Sequence, residues 1–193
     1  MEFFRASELS FDPRQQLGKI FAEGFYDHGL KFISKDMAKL SKAMEHIFLL
    51  EHFYVAVQDE TIMAMVGCTK KKPPPVELER KILTRALGFL RGNFAYIALK
   101  HALVNHKYPF ELADDTASIE FVATAEEHRG KGSAKKLLAY VMEVLPYEKY
   151  VLEVIDTNAA AIKLYEKLRF TEFMRAKAPK GAGFGFFVYM RKD

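Results

Sequence analysis

The stretch that most limits how this chain can fold runs from Ser118 to Ala134 and reads S-I-E-F-V-A-T-A-E-E-H-R-G-K-G-S-A. Ile119 to Thr124 is a short apolar, β-prone run, and it gives way to the polar Glu126, Glu127 and His128. Arg129-Gly130-Lys131-Gly132-Ser133-Ala134 comes next, followed at once by Leu137, Leu138, Val141, Met142 and Leu145 at helical spacing. The segment therefore reads as a strand, a glycine-containing turn and a helix. The first amides of such a helix lack intrahelical acceptors and point at one spot beyond its N-terminus. That geometry holds phosphate.

Spacing narrows the kind of phosphate site. Gly130 and Gly132 are too close together for the loop G-x-x-x-x-G-K-[S/T]. Lys135 stands where G-x-G-x-x-G needs its third glycine, so a dinucleotide fingerprint is excluded as well. What remains is R-x-x-G-x-[G/A], a turn of low specificity by itself.

The surrounding chain is long enough, at 193 residues, for one domain with a sizeable core. Its net charge of +4 fits an anionic ligand, and no basic run is long enough to mark a nucleic-acid binder. Cys68 is the single cysteine, so no disulfide can form within the chain and a reducing, cytoplasmic setting is expected. The opening Met1-Glu2-Phe3-Phe4-Arg5 has no secretory pattern, and no apolar run approaches the roughly 18–20 residues of a membrane span. Neither a membrane nor a nucleic-acid partner is expected. The histidine spacings, His46 with His52 and His101 with His106, suit no helical metal pair, and no metal site is expected.

In chain order, Glu2 to Arg5 reads as a strand. Asp12-Pro13 reads as the start of a helix carrying Leu17, Ile20, Phe21 and Phe25, ended by Gly24 or Gly29. Ser34 is the expected cap of a second helix, with Met37, Leu40, Met44, Ile47 and Phe48 on one face. Phe53 to Val57 and Thr61 to Cys68 read as an antiparallel hairpin, and Lys70-Lys71-Lys72-Pro73-Pro74-Pro75 ends its second strand. Glu77 to Leu90 reads as one helix, and Asn93 as the cap of another carrying Phe94, Ile97 and His101. After the phosphate turn come a strand at Tyr150 to Ile155, a helix from Asn158 through Leu168, and two strands at Phe170 to Ala176 and Phe184 to Met190. Such an order is α/β or α+β around a mixed sheet.

Asn158-Ala159-Ala160-Ala161-Ile162-Lys163-Leu164-Tyr165-Glu166-Lys167-Leu168-Arg169-Phe170 lies one helix and one strand beyond the turn. Together the two segments resemble the GNAT superfamily of N-acetyltransferases. The second has that superfamily's form N-x-x-A-x-x-L-Y-E-x-x-G-F, with Arg169 in place of the glycine. The resemblance implies a single domain over 1–193 with a mostly antiparallel central sheet flanked by helices. A helical insertion, about 73–115, is then expected between the third and fourth strands.

It also implies acetyl-CoA as cofactor and a small-molecule or peptide amine as acceptor, with a homodimer left open. Arg129, Gly130, Lys131, Gly132, Ser133 and Ala134 would hold the pyrophosphate. The backbone of Phe121, Val122, Ala123 and Thr124 would pair with the pantetheine arm, beside Asn158 and Ala161. Tyr165 would stand near the thioester and stabilise the departing thiolate. Glu120 is the candidate base, acting directly or through water; it also fits the polar position of a half-exposed strand. The implied activity is direct acetyl transfer to an amine in a ternary complex. The alternative is a GNAT-like module that binds or senses CoA without turnover.

Overall fold

The computed structural model describes residues 1–70 and 74–193; Lys71, Lys72 and Pro73, expected to end the second strand of the hairpin, lie outside them. In chain order the elements are β1 (Glu2–Arg5), α1 (Arg14–Phe25), α2 (Met37–Met44), β2 (Phe53–Gln58), β3 (Thr61–Lys70), α3 (Arg80–Leu87) and α4 (Phe89–Leu99). There follow a π turn at Lys100–Val104, then β4 (Thr116–Thr124), α5 (Ser133–Val144), β5 (Lys149–Ile155), α6 (Ala159–Lys167), β6 (Thr171–Lys177) and β7 (Phe186–Lys192). The strands form one sheet in the order β1-β2-β3-β4-β5-β7-β6. β4 and β5 are parallel; every other neighbouring pair is antiparallel.

Helices cover both faces, which is why β2 and β3 read as unbroken apolar runs rather than alternating ones. Phe53, Val55 and Met65 point to a core built with Leu17 and Phe21 of α1, Leu40 and Met44 of α2, and Leu83 of α3. Tyr54, Ala56 and Val66 point the other way, onto Leu137, Leu138 and Val141 of α5 and Tyr165 of α6. The expected mostly antiparallel sheet is present, with α3, α4 and the π turn between β3 and β4.

Several local expectations change. Gly24 does not end α1. It lies inside the helix, where a β-carbon would come within 3.1 Å of the Ala123 β-carbon, so its smallness lets α1 approach β4. Asp12 is not the cap of α1 and Pro13 is not its first residue: Pro13 is the cap position, and Asp12, one residue further out, accepts from the Arg14 amide through Oδ1 at 3.1 Å. Ser34 is not the cap of α2: Asp36 is, accepting from the Lys39 amide at 3.1 Å, while Ser34 Oγ accepts from the Asp36 amide. That helix stops at Met44, so Ile47 and Phe48 are buried beyond its end.

The expected helix over Glu77 to Leu90 is two helices. Gly88, at φ +84, breaks it, and Asn93 sits inside α4 with its side-chain amide donating to the Phe89 carbonyl. β6 and β7 are each shifted toward the C-terminus from the expected ranges.

The exit of α6 explains how arginine replaces the glycine of the resemblance. Arg169 has φ +68, the left-handed conformation that a helix-ending glycine normally takes. Its amide bonds to the Glu166 carbonyl at 2.9 Å, and that of Phe170 to the Tyr165 carbonyl at 3.0 Å. The turn is thus kept and the strain accepted. Arg169→Gly should raise stability by about 0.5–1 kcal/mol, the relief of left-handed strain less the added entropy of an unfolded glycine. A urea midpoint that rises at unchanged m-value supports this; an unchanged or lower midpoint contradicts it.

Candidate active site

The site begins with an irregularity in β4. Ala117 and Ile119 face the α5–α6 core, so strict alternation would send residue 121 there as well. Phe121 instead has φ +53 and packs on the opposite face, its ring 5.7 Å from Phe21, 6.1 Å from Phe25 and 6.3 Å from Phe53. The β3–β4 register shifts at the same place: Gly67 pairs with Glu120 and Met65 with Ala123, leaving one extra residue on β4. Val122 then takes the α5–α6 side and Ala123 the other.

Past this bulge β4 parts from its parallel neighbour. Pairing with β5 runs from Thr116–Lys149 to Ile119–Leu152, although β4 continues to Thr124 and β5 to Ile155. The gap continues as a groove of about 770 Å³. Val122, Ala123 and Thr124 form one wall and Asn158, Ala160, Ala161 and Leu164 the other. Arg129, Gly130, Gly132, Ser133 and Ala134 close one end.

That end is suited to an anion. α5 starts from Gly132 at φ +80, has no side-chain cap, and receives its first-turn bond at Lys136, whose amide donates to the Gly132 carbonyl at 3.1 Å. The earlier amides are left for something outside the helix. A β-carbon at Gly130 or Gly132 would meet nothing within 4 Å, so glycine is needed there for the left-handed φ rather than for room within the protein. Lys135, Lys163 and Lys167 add positive charge along the lining.

Asn158 caps α6, its Oδ1 accepting from the Ala161 amide at 3.1 Å, while the residue also lines the groove. Lys131 turns away, toward a smaller pocket beside Gln58, Asp59 and Met63. Tyr165 is 6% exposed in the α5–α6 core, edge-on to Phe170, and is not among the groove's lining residues. Burial raises its hydroxyl pKa above the ordinary tyrosine value.

Glu120 lies on the face opposite α5. It accepts a hydrogen bond from Ser118 Oγ at 2.9 Å, and Ser118 in turn bonds the Tyr108 hydroxyl at 2.6 Å. The segment after the π turn lies across this face. His106 Nε2 is 2.8 Å from Glu153 Oε2, and Tyr189 meets the rings of Tyr108 and Phe110 edge-on. Burial, and then the nearby Glu120 carboxylate, raise the Tyr108 pKa; burial and Glu153 do the same for Tyr189.

Residues near the start of the chain complete the groove without any signal in the strand–turn–helix segment. Glu23 and Gly24 from the end of α1, and Asp27 and His28 beyond it, line the groove. Lys19 of α1 pairs with Glu127 at 2.6 Å, tying that helix to the segment just before the glycine turn. Both partners are more than half exposed, so this pair contributes roughly 0–1 kcal/mol. Cys68 is buried, which pushes its thiol up to about 12 and keeps it an inert core side chain. Among the described residues no three His, Cys, Asp or Glu side chains are grouped to hold a metal ion, and no helix is long and apolar enough to cross a membrane.

Among solved structures, an N-acetyltransferase from Staphylococcus aureus Mu50 superposes over the full length of both chains, with a TM-score of 0.66 at 19% identity. A ribosomal-protein-alanine N-acetyltransferase from Brucella melitensis matches 100% of this chain and 99% of its own, with a TM-score of 0.60 at 17% identity. PH1933 from Pyrococcus horikoshii OT3 matches 99% and 96%, with a TM-score of 0.60 at 16% identity. At these identities the likeness establishes the fold. No curated protein sequence matches the chain. The sequence pattern of the acetyltransferase (GNAT) family, however, matches residues 19–170, most of the chain and all of the groove's lining residues. The chain belongs to the acetyltransferase (GNAT) family.

Proposed function

We propose that this chain transfers the acetyl group of acetyl-CoA to a primary amine by direct attack in a ternary complex in the cytoplasm. The observation that carries the reading is the parting of β4 from β5 beyond Ile119 and Leu152, in a groove that ends at the uncapped amides of α5. Coenzyme A fits both parts: its pyrophosphate suits the amides and cations, and its amide-bearing arm suits an unpaired strand edge. When bound, it supplies an acetyl group already activated as a thioester.

The remaining chemistry belongs to the chain's own residues. Backbone amides from Arg129 to Ala134 hold the pyrophosphate, with the Arg129 side chain adding charge. Lys131 contributes through its backbone, since its side chain lies toward the other pocket. Phe121 to Thr124 offer backbone donors and acceptors to the arm, while the Phe121 ring stays in the core. Asn158 has its oxygen engaged in capping α6, which leaves its side-chain NH₂ to donate to the arm. Ala161 keeps the opposite wall low.

An alkyl ammonium has a pKa of about 10 and cannot attack until it loses a proton. Glu120, held by Ser118, takes that proton directly or through water. Glu153 and the rings of Tyr108 and Tyr189 give the same side of the sheet a polar, partly anionic character suited to a cationic acceptor. Tyr165 donates a hydrogen bond to the departing sulfur. Full proton transfer from an ordinary tyrosine to a thiolate is uphill by roughly 2 kcal/mol, and the raised pKa of Tyr165 makes it more so.

A second reading has one observation behind it. Tyr165 lies behind the groove's lining, as it would in a module that binds or senses CoA without turning it over. Release of free thiol from acetyl-CoA across a panel of primary amines separates the two. Catalysis predicts thiol release with at least one amine and a fall in kcat of about 100-fold in Tyr165→Phe, with CoA affinity unchanged. Tight CoA binding without thiol release from any amine would leave the sensor reading in its place.

The base is tested separately. Glu120→Gln should lower the rate at neutral pH by about 100-fold and recover as the pH approaches the amine's own pKa, where the acceptor deprotonates unaided. A uniform loss at all pH values would instead assign Glu120 a structural role. At the anion end, Gly132→Glu should abolish CoA binding through charge repulsion and about 1–2 kcal/mol of left-handed strain while circular dichroism stays native. Normal CoA binding by that variant would be incompatible with the phosphate assignment.

A further inference from the structure

Helix α4 reverses the usual amphipathic arrangement. The residues it turns inward are Gly92, Ala95 and Leu99, two of them small. A β-carbon at Gly92 would collide with the backbone of Thr84, so the two helices α3 and α4 pack with their backbones nearly touching. The large apolar side chains are outside: Phe89, Leu90, Phe94 and Ile97 are 54% to 81% exposed. Leu90, Phe94 and Ile97 follow the i, i+4, i+7 spacing of one stripe. At about 100° per residue, exposed Arg91 lies on one flank of that stripe and exposed Lys100 on the other.

The charge of this region is one-sided. From Arg80 to Phe110 the sequence carries Arg80, Lys81, Arg85, Arg91, Lys100 and Lys107, with no aspartate or glutamate. All six are exposed, and none takes part in the ion pairs of the described residues. The whole chain has 29 Lys and Arg against 25 Asp and Glu, so the other residues carry 23 against 25 and are net negative. The positive excess of this protein resides in the helical hairpin and the segment that leads from it to Phe110.

We propose that the outer face of α4 is a peripheral docking surface for an anionic lipid bilayer. The chemistry of the face selects among occupants. A second copy seated symmetrically would bring Arg91 and Lys100 of both copies together without a carboxylate in the segment to offset them. Nucleic acid would meet the charges but not cover four exposed apolar side chains. A partner helix needs a groove to lie in, whereas side chains this exposed stand proud of the surface. A bilayer interface accepts a projecting helix whose apolar stripe enters the acyl boundary while flanking Arg and Lys meet anionic headgroups. Phenylalanine and leucine on the stripe with basic residues beside it are the composition such a helix needs. The proposal does not depend on the identity of the acetyl acceptor.

Flotation of the full-length protein with vesicles tests it. Phosphatidylcholine vesicles containing roughly 30% phosphatidylglycerol should bind at least about tenfold more tightly than phosphatidylcholine alone, and salt should release the protein. Phe94→Ser with Ile97→Ser should weaken that binding about tenfold or more through lost apolar contact, with native circular dichroism. Arg91→Gln with Lys100→Gln should weaken it through lost charge and lessen the salt effect. Absence of binding to anionic vesicles, or equal binding to both compositions, overturns the proposal. So does a dimer in light scattering that the Phe94→Ser, Ile97→Ser variant converts to monomer, because a second copy would then cover the face.

Discussion

The left-handed backbone at Phe121 is the constraint on which the rest of the site depends. For a residue with a β-carbon, that conformation costs about 1–2 kcal/mol. The ring contacts with Phe21, Phe25 and Phe53 offset it, each such aromatic pair contributing about 0.5–1.5 kcal/mol. Two consequences follow from this extra residue. Glu120 and Phe121, neighbours in sequence, face the same side of the sheet. β4 also leaves β5 after Ile119, so backbone groups that a regular parallel pair would use are turned toward the groove.

A parallel pair that opens part-way is tolerable only if something else satisfies the freed polar groups. The groove places a second set of unused donors, the first amides of α5, along the same line. The close approach of α1 at Gly24 and the Lys19–Glu127 pair hold the other side of that opening in place. Its geometry is therefore set by packing distant from the glycine turn, with α1 contributing more than its position in the sequence suggests.

Legibility in the sequence followed the range of the interactions. The turn from Arg129 to Ala134 and the helix from Asn158 could be read because each is a local pattern with its own chemistry. Glu23, Asp27 and His28 could not, since their place in the groove comes from tertiary packing about 100 residues away along the chain. The bulge was equally hidden: Ile119 to Thr124 has nothing in its composition to show that alternation changes side at Phe121. Ser34 and Asp36 are both acceptable caps locally, and the fold chose the second. The break between α3 and α4 is hidden in the sequence for a related reason. Gly88 has the residue type that breaks a helix, but the apolar period running through Leu90 outweighed it.

α4 shows why periodicity identifies a helix more reliably than it identifies the buried face. Gly92, Ala95 and Leu99 make one stripe and Leu90, Phe94 and Ile97 the other, and by hydrophobicity alone the second should be the core. Packing reverses that order because α3 needs to approach closely, and only small residues permit it. Total charge misleads in the same way. A net +4 describes a nearly balanced protein, yet Arg80, Lys81, Arg85, Arg91 and Lys100 stand in one hairpin and the turn after it, while the carboxylates Glu120 and Glu153 stand at the opened sheet. Attraction to an anionic surface is governed by the local excess within a Debye length, about 8–10 Å at ordinary salt, not by the sum over the chain. The hairpin can therefore act as a strongly basic surface on a protein whose remainder is mildly acidic.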